Sequence, residues 1–193
     1  MGFYIHVQET PNPNAAKFLS QYVVKNEGKA HFRNVEDSAG IPLAARLMAL
    51  DGVESVFFYD NYVTVTKREE GDWDVLSPAI LDLLQELLPQ HDPAFSQEQP
   101  AHTPSVEMTP ALMQISDILD RTVRPFLAAD GGGLELLAYQ DHLLLIRYQG
   151  ACGTCPSSAS GTLMAIESIL RDEFDPEIRV ADAGESQLFS GYD

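Results

Sequence analysis

The sequence predicts an α+β protein made of two small domains joined by a proline-rich linker. Three observations carry that reading. Residues 90–108 hold Pro93, Pro100 and Pro104 among polar residues such as Ser96, Gln97, Gln99 and Thr103, with no apolar period, as an extended linker does. On both sides of it, short runs with period-two alternation are interleaved with segments whose apolar residues recur at helical spacing. The whole chain has 193 residues, enough for one large domain or two small ones. The expected divisions are residues 1–89, a linker at 90–108, a second domain at 109–185 and a tail at 186–193.

The first domain reads ββαββα. Tyr4 to Gln8 is a candidate strand, followed by the turn-rich Thr10-Pro11-Asn12-Pro13-Asn14 and a second extended run from about Lys17 to Lys25. Ser38 is a candidate cap for a helix ending at Leu50, with Ile41, Ala44, Ala45 and Met48 on one face. Val53 to Tyr59 and Tyr62 to Lys67 form a hairpin around Asp60-Asn61. In its second strand Val63 and Val65 alternate with Thr64 and Thr66, which predicts a half-buried strand. Ser77-Pro78 then suits a cap and first turn for a helix carrying Ile80, Leu81, Leu84, Leu87 and Leu88, stopped by Pro89. Trp73, Phe57 and Phe58 are read as core.

The second domain reads αββαβ. Thr109-Pro110 opens a helix with Leu112, Ile115, Leu119, Val123 and Phe126 at helical spacing, kinked near Pro125. Gly131-Gly132-Gly133 ends it and releases the chain into a strand from Leu134 to Tyr139. A turn at Gln140-Asp141 leads to a strand from His142 to Tyr148. Helical spacing resumes with Leu163, Ile166 and Leu170, and a short strand near Ile178 to Ala181 closes the unit.

Composition excludes some functions. The formal charge is −17, with −6 before the linker, −3 in it and −8 after it, so a nucleic acid would be repelled at long range. No apolar run approaches the roughly 18 residues of a membrane span. Neither a secretory leader nor an organellar presequence is evident at the start, which predicts a cytoplasmic protein. No nucleophile elbow surrounds Ser157, Ser158 or Ser160, and Asp130-Gly131-Gly132-Gly133 lacks the ending of a phosphate loop. A conventional enzyme is not expected.

The chemistry concentrates at Gly150-Ala151-Cys152-Gly153-Thr154-Cys155-Pro156, between a strand and a helix. Cys152 and Cys155 are the only cysteines, three positions apart, and a close pair in a cytosolic chain reads as metal or redox chemistry. The spacing lets both sulfurs face one metal or cluster. Gly150 and Gly153 allow amides to turn toward bound sulfur. Cys155 lies where a helix dipole favours thiolate, the form that ligates metal. An iron–sulfur cluster takes four thiolates and this chain has two, so a bridged homodimer would complete the set. Zinc shared across a dimer uses the same ligands. Thiol–disulfide exchange is a further alternative, as is a buried structural pair. His142 precedes Cys152 by ten residues, and His6, His31, His91 and His102 lie farther off. Asp130 is a candidate for orienting the loop.

Asp130-Gly131-Gly132, preceded by Arg124-Pro125 and followed by the cysteine motif, closely resembles the C-terminal NifU-like domain of the Nfu iron–sulfur scaffold family. The first half resembles that family's N-terminal domain through Glu9-Thr10-Pro11-Asn12-Pro13-Asn14, Lys17-Phe18, Gly52-Val53-Glu54-Ser55-Val56-Phe57-Phe58, Thr64-Val65-Thr66-Lys67 and Trp73. The resemblance implies a scaffold or carrier binding a labile 4Fe–4S cluster between two subunits, with Cys152 and Cys155 as ligands. A 2Fe–2S cluster or zinc is the lesser alternative. It also implies upstream cluster-assembly factors and client apo-proteins as partners. An adaptor role remains the other reading, with the N-terminal domain recruiting partners.

Overall fold

Two separate hydrophobic cores organise the chain, one in each of two compact units, Met1–Thr103 and Pro104–Asp193. The computed structural model describes residues 3–96, 108–153 and 156–183. The α+β class is as the sequence predicts.

In the first unit the strands are β1 (Ile5–Glu9), β2 (Ala15–Ser20), β3 (Lys25–Phe32), β4 (Val53–Asp60) and β5 (Tyr62–Lys67), with helices α1 (Pro42–Met48) and α2 (Trp73–Leu87). They form one antiparallel sheet in the order β1-β2-β5-β4-β3. Alternation sends Ala16 and Phe18, Val63 and Val65, Val56 and Phe58, and Ala30 and Phe32 into one core with Leu43, Leu47, Ile80 and Leu84. Thr64 and Thr66 are also buried, so β5 is buried on both faces and not half-buried as its pattern suggests.

Three elements depart from the sequence reading. A strand was missed: the run expected from Lys17 to Lys25 ends as β2 at Ser20. A further strand, β3, begins only at Lys25 and carries a register shift between Lys25 and Lys29, with Gly28 at φ +68°. That irregularity erases the period of two over half the strand. The first helix is shorter than expected. Ser38 ends a separate 3-10 turn (Glu36–Ser38), and α1 starts at Pro42. The second begins earlier, because the Asp72 side chain accepts the Asp74 N–H at 2.9 Å and caps α2 at Trp73. Pro78 therefore lies inside α2. Gln90 to Phe95, read as the start of the linker, pack on this unit. Asn26 N–H donates to Pro93 O at 3.0 Å, Lys25 Nζ donates to Phe95 O at 2.9 Å, and Phe95 meets Phe58 edge-on.

The second unit holds α3 (Pro110–Thr122), α4 (Arg124–Ala129), β6 (Gly132–Gln140), β7 (Leu143–Gly150), α5 (Pro156–Glu173) and β8 (Arg179–Asp182). The kink expected near Pro125 is a break into two helices. The sheet order is β6-β7-β8, with β6 and β7 antiparallel and β8 parallel to β7. A parallel neighbour requires a crossover, and α5 supplies it. The β6–β7 hairpin turns at Asp141 (φ +49°) and His142 (φ +60°), the paired left-handed residues that match strand twist in a two-residue turn. Among the described residues no helix is long and apolar enough to cross a membrane.

Candidate functional site

The crossover fixes where the chemistry lies, at the carboxyl end of β7 where the chain turns into α5. Ala151–Gly153 make one 3-10 turn there, and Pro156 is the first residue of α5. Cys152 is buried at 8% exposure and belongs to the second core, with Tyr148 and Leu134. Cys155, with Thr154, lies outside the described residues, as do the side chains of Ser157, Ser158 and Ser160.

The glycines before β6 build the floor under this turn. Gly132 pairs with Gly150 across the hairpin, and Gly131 O accepts the Ala151 N–H at 3.3 Å. Gly131 has φ +78° and Gly150 φ +61°, conformations that side chains disfavour. Gly132 is needed for space instead. A Cβ there would stand 2.4 Å from Cys152 Sγ and 2.9 Å from both Cys152 N and Gln149 O. Sequence reading assigned these glycines only to ending a helix. Their contact with Cys152 depends on β6–β7 register, which no local spacing reveals.

Asp130 follows the last turn of α4 and is exposed, its amide donating to Phe126 O. His142 is at the far end of β7. Eight strand residues at about 3.4 Å each put it roughly 27 Å from the cysteine turn, so it is not a ligand within the same chain. It forms a second polar cluster instead. Its Nδ1 is 2.6 Å from Asp175 Oδ2, the same oxygen that accepts the Tyr139 hydroxyl at 2.5 Å. These bonds, the tyrosine's first, pull the Asp175 carboxyl down to about 2. The bond to Asp175 raises the His142 pKa, while burial and then Asp175 push Tyr139 up to about 12. Among the described residues no three His, Cys, Asp or Glu side chains converge on a metal position.

With this geometry in place, both units match known families. Residues 5–91 match the family described as "Scaffold protein Nfu/NifU N terminal", and residues 115–181 match "NifU-like domain". NifU-like protein 4, mitochondrial, of Arabidopsis thaliana is 33% identical over 98% of this chain and 68% of its own length. The chain belongs to the Nfu family of NifU-like scaffold proteins.

Two further Nfu relatives are alike over most of the chain. The human NFU1 iron-sulfur cluster scaffold homolog, mitochondrial, is 32% identical over 87% of this chain and 67% of its own length. The Drosophila ananassae homolog of the same name is 29% identical over 98% of the chain and 66% of its own. The chain thus spans about two thirds of these relatives. Their names overturn the expectation of a cytoplasmic protein, since all three are mitochondrial. The expectation rested on seeing no leader in the given sequence, and such an absence does not fix a compartment.

Proposed function

We propose that this Nfu-family chain is a carrier that holds a 4Fe–4S cluster between two copies of itself and passes it to apo-proteins, without being an enzyme. The observation that carries the reading is the seating of Cys152 on Gly132 in a turn bounded by Gly150 and Gly153, ahead of α5. Cys152 and Cys155 are the proposed ligands. The donor set fits a shared cluster: the chain has two cysteines and a cluster takes four thiolates. The names of the relatives as iron–sulfur scaffolds support the same cargo.

The chemistry asked of the protein is ligand exchange. Cys152 is buried against Gly132, so its Sγ must leave that floor to reach iron, and flanking glycines let the turn do so. A client thiolate then replaces each protein–sulfur bond in turn, the departing cysteine taking up a proton. The cluster is cargo, supplied by upstream assembly factors and received by apo iron–sulfur proteins. The proposed divisions are a partner-facing unit at 1–89 on which Gln90 to Phe95 also pack, a linker over the rest of 90–108, a cluster unit at 109–185 and a tail.

The test is anaerobic reconstitution with iron and sulfide, then quantitation of both on size-resolved species. About four irons and four sulfides per dimer, lost in Cys152→Ser and Cys155→Ser proteins that keep their helical signal, is the expected result. A metal-free monomer that reduces disulfides would overturn it.

A further inference from the structure

The first unit contains a cleft of about 470 Å³ between strand β1 and the first turn of α2, within the size range of ligand-binding sites. It is lined by Val7 and Ala16 of the sheet, Trp73 and Ser77 of α2, and Pro11 and Pro13 of the loop after β1. Three features set it apart from a packing defect.

The wall is held in place by hydrogen bonds. Trp73 Nε1 donates to Pro13 O at 3.0 Å, Lys67 Nζ donates to Asn14 Oδ1 at 3.0 Å, and Asn14 N–H donates to Asn12 Oδ1 at 2.9 Å. Asn12 itself is buried. A pre-organised wall lowers the ordering cost of binding.

The cleft also opens onto a bare sheet edge. Among the described residues nothing pairs with the outer side of β1. Ser20 N–H donates to Asn61 O and Lys67 N–H to Asn14 O, which fixes the alternation across β2. Lys17 and Leu19 therefore bond toward β1, through Gln8 and His6. The backbone groups of Ile5, Val7 and Glu9 are left pointing outward. Exposed edges of this kind are templates for another strand, and the strand lacks the lysine or proline that would block one.

Finally, the rim is acidic. Glu9 is exposed, exposed Asp72 and Asp74 flank Trp73, and no Lys or Arg lines the cleft. Val7 remains 38% exposed over the floor, an apolar surface left for an incoming side chain.

We propose that this cleft docks an extended, basic segment of another protein, which adds as a strand along Ile5–Glu9 and inserts an apolar side chain over Val7 and Ala16 against Trp73. Backbone bonds to the edge supply affinity, the cleft selects the anchor and the acidic rim selects lysine or arginine beside it. A second copy of this chain is disfavoured as occupant, because two acidic rims on chains of charge −17 would meet. The site is independent of the cysteine turn, so its test and that of the cluster carrier stand or fall separately.

Trp73 is the only tryptophan in the chain, so its emission reports the cleft directly. The 193-residue chain without cluster is titrated with an acetylated eight-residue peptide alternating lysine with valine. The expected result is a saturable blue shift, weakened about tenfold by Glu9→Lys and by raised salt. Val7→Pro removes an outward N–H without touching the ladder and should abolish the shift, as should N-methylation of the peptide. Thermal melts confirm that each variant is folded; if Val7→Pro is not, Glu9→Lys and the methylated peptide decide. No saturable change up to millimolar peptide overturns the proposal. So does binding that ignores N-methylation, which would indicate a small apolar ligand, or self-association relieved by Val7→Pro.

Discussion

Cys152 sits on Gly132 with no room for a single carbon between them. A Cβ on Gly132 would stand 2.4 Å from the Cys152 sulfur and 2.9 Å from two backbone atoms, Cys152 N and Gln149 O. The contact joins residues on different elements, the start of β6 and the turn after β7, through the Gly132–Gly150 pair of the hairpin. One glycine thus sets the height at which the proposed ligand rides above the sheet.

Gly132→Ala should therefore act on the cysteine turn before it acts on the fold. The sulfur could rotate away, but the two backbone atoms could not, so the turn must lift from β6. Overpacking of this kind costs about 1–3 kcal/mol. The expected outcome is a lower melting temperature for the second unit and reconstituted protein that loses its cluster absorbance faster than the wild type. Unchanged cluster retention would show that the seat does not matter to the ligand.

Two histidines give the two units opposite responses to pH. Burial holds the His91 pKa below its ordinary 6.5, where its Nε2 meets Val24 O at 2.9 Å. Stability from His91 is therefore complete above pH 6.5 and is lost as pH falls toward the lowered value. His142 is raised from the same value by its bond to Asp175, so its contribution is complete below pH 6.5 and is lost as pH rises through the folded-state pKa. Asp175 itself stabilises above its ordinary 3.8 and gives that up only as pH falls toward about 2. Hydrogen exchange between pH 5.5 and 8 should show protection rising in the first unit and falling in the second. Asp175→Asn should flatten the second trend and leave the first alone.

What the sequence made legible follows from which interactions are local. The Val63/Val65 alternation and the Leu112, Ile115, Leu119 spacing read correctly as strand and helix because each pattern is set within one element. β3 was invisible because Gly28 and the register shift interrupt its alternation. The start of α2 was misplaced because Ser77-Pro78 also suits a cap and first turn, whereas the cap that forms is Asp72, five residues before Ser77. The cysteine turn was legible from spacing alone. The Gly132 seat, the Tyr139–Asp175–His142 cluster and the β1 cleft were not, since each joins residues that only sheet register or a crossover brings together.

The Asp72 cap can be separated from any role of the residue at the cleft rim. Asp72→Ala removes the acceptor for the Asp74 N–H and should cost about 1 kcal/mol, seen as a lower denaturant midpoint for the first unit. Asp72→Asn keeps an acceptor and should restore most of that stability while removing the charge.

The stowed thiol makes a last prediction that separates burial from ligation. Cys152 is 8% exposed, and a buried cysteine reacts slowly because reagents are excluded. A Cys155→Ser protein isolates this thiol, the chain having only the two cysteines. Its alkylation by iodoacetamide should run at least roughly tenfold slower than in the same protein unfolded by guanidinium. Adding Gly132→Ala should recover much of the unfolded rate, because the sulfur no longer has a floor to lie on. Equal rates in the folded and unfolded single variant would mean that Cys152 is already presented outward and needs no movement of the turn to meet iron.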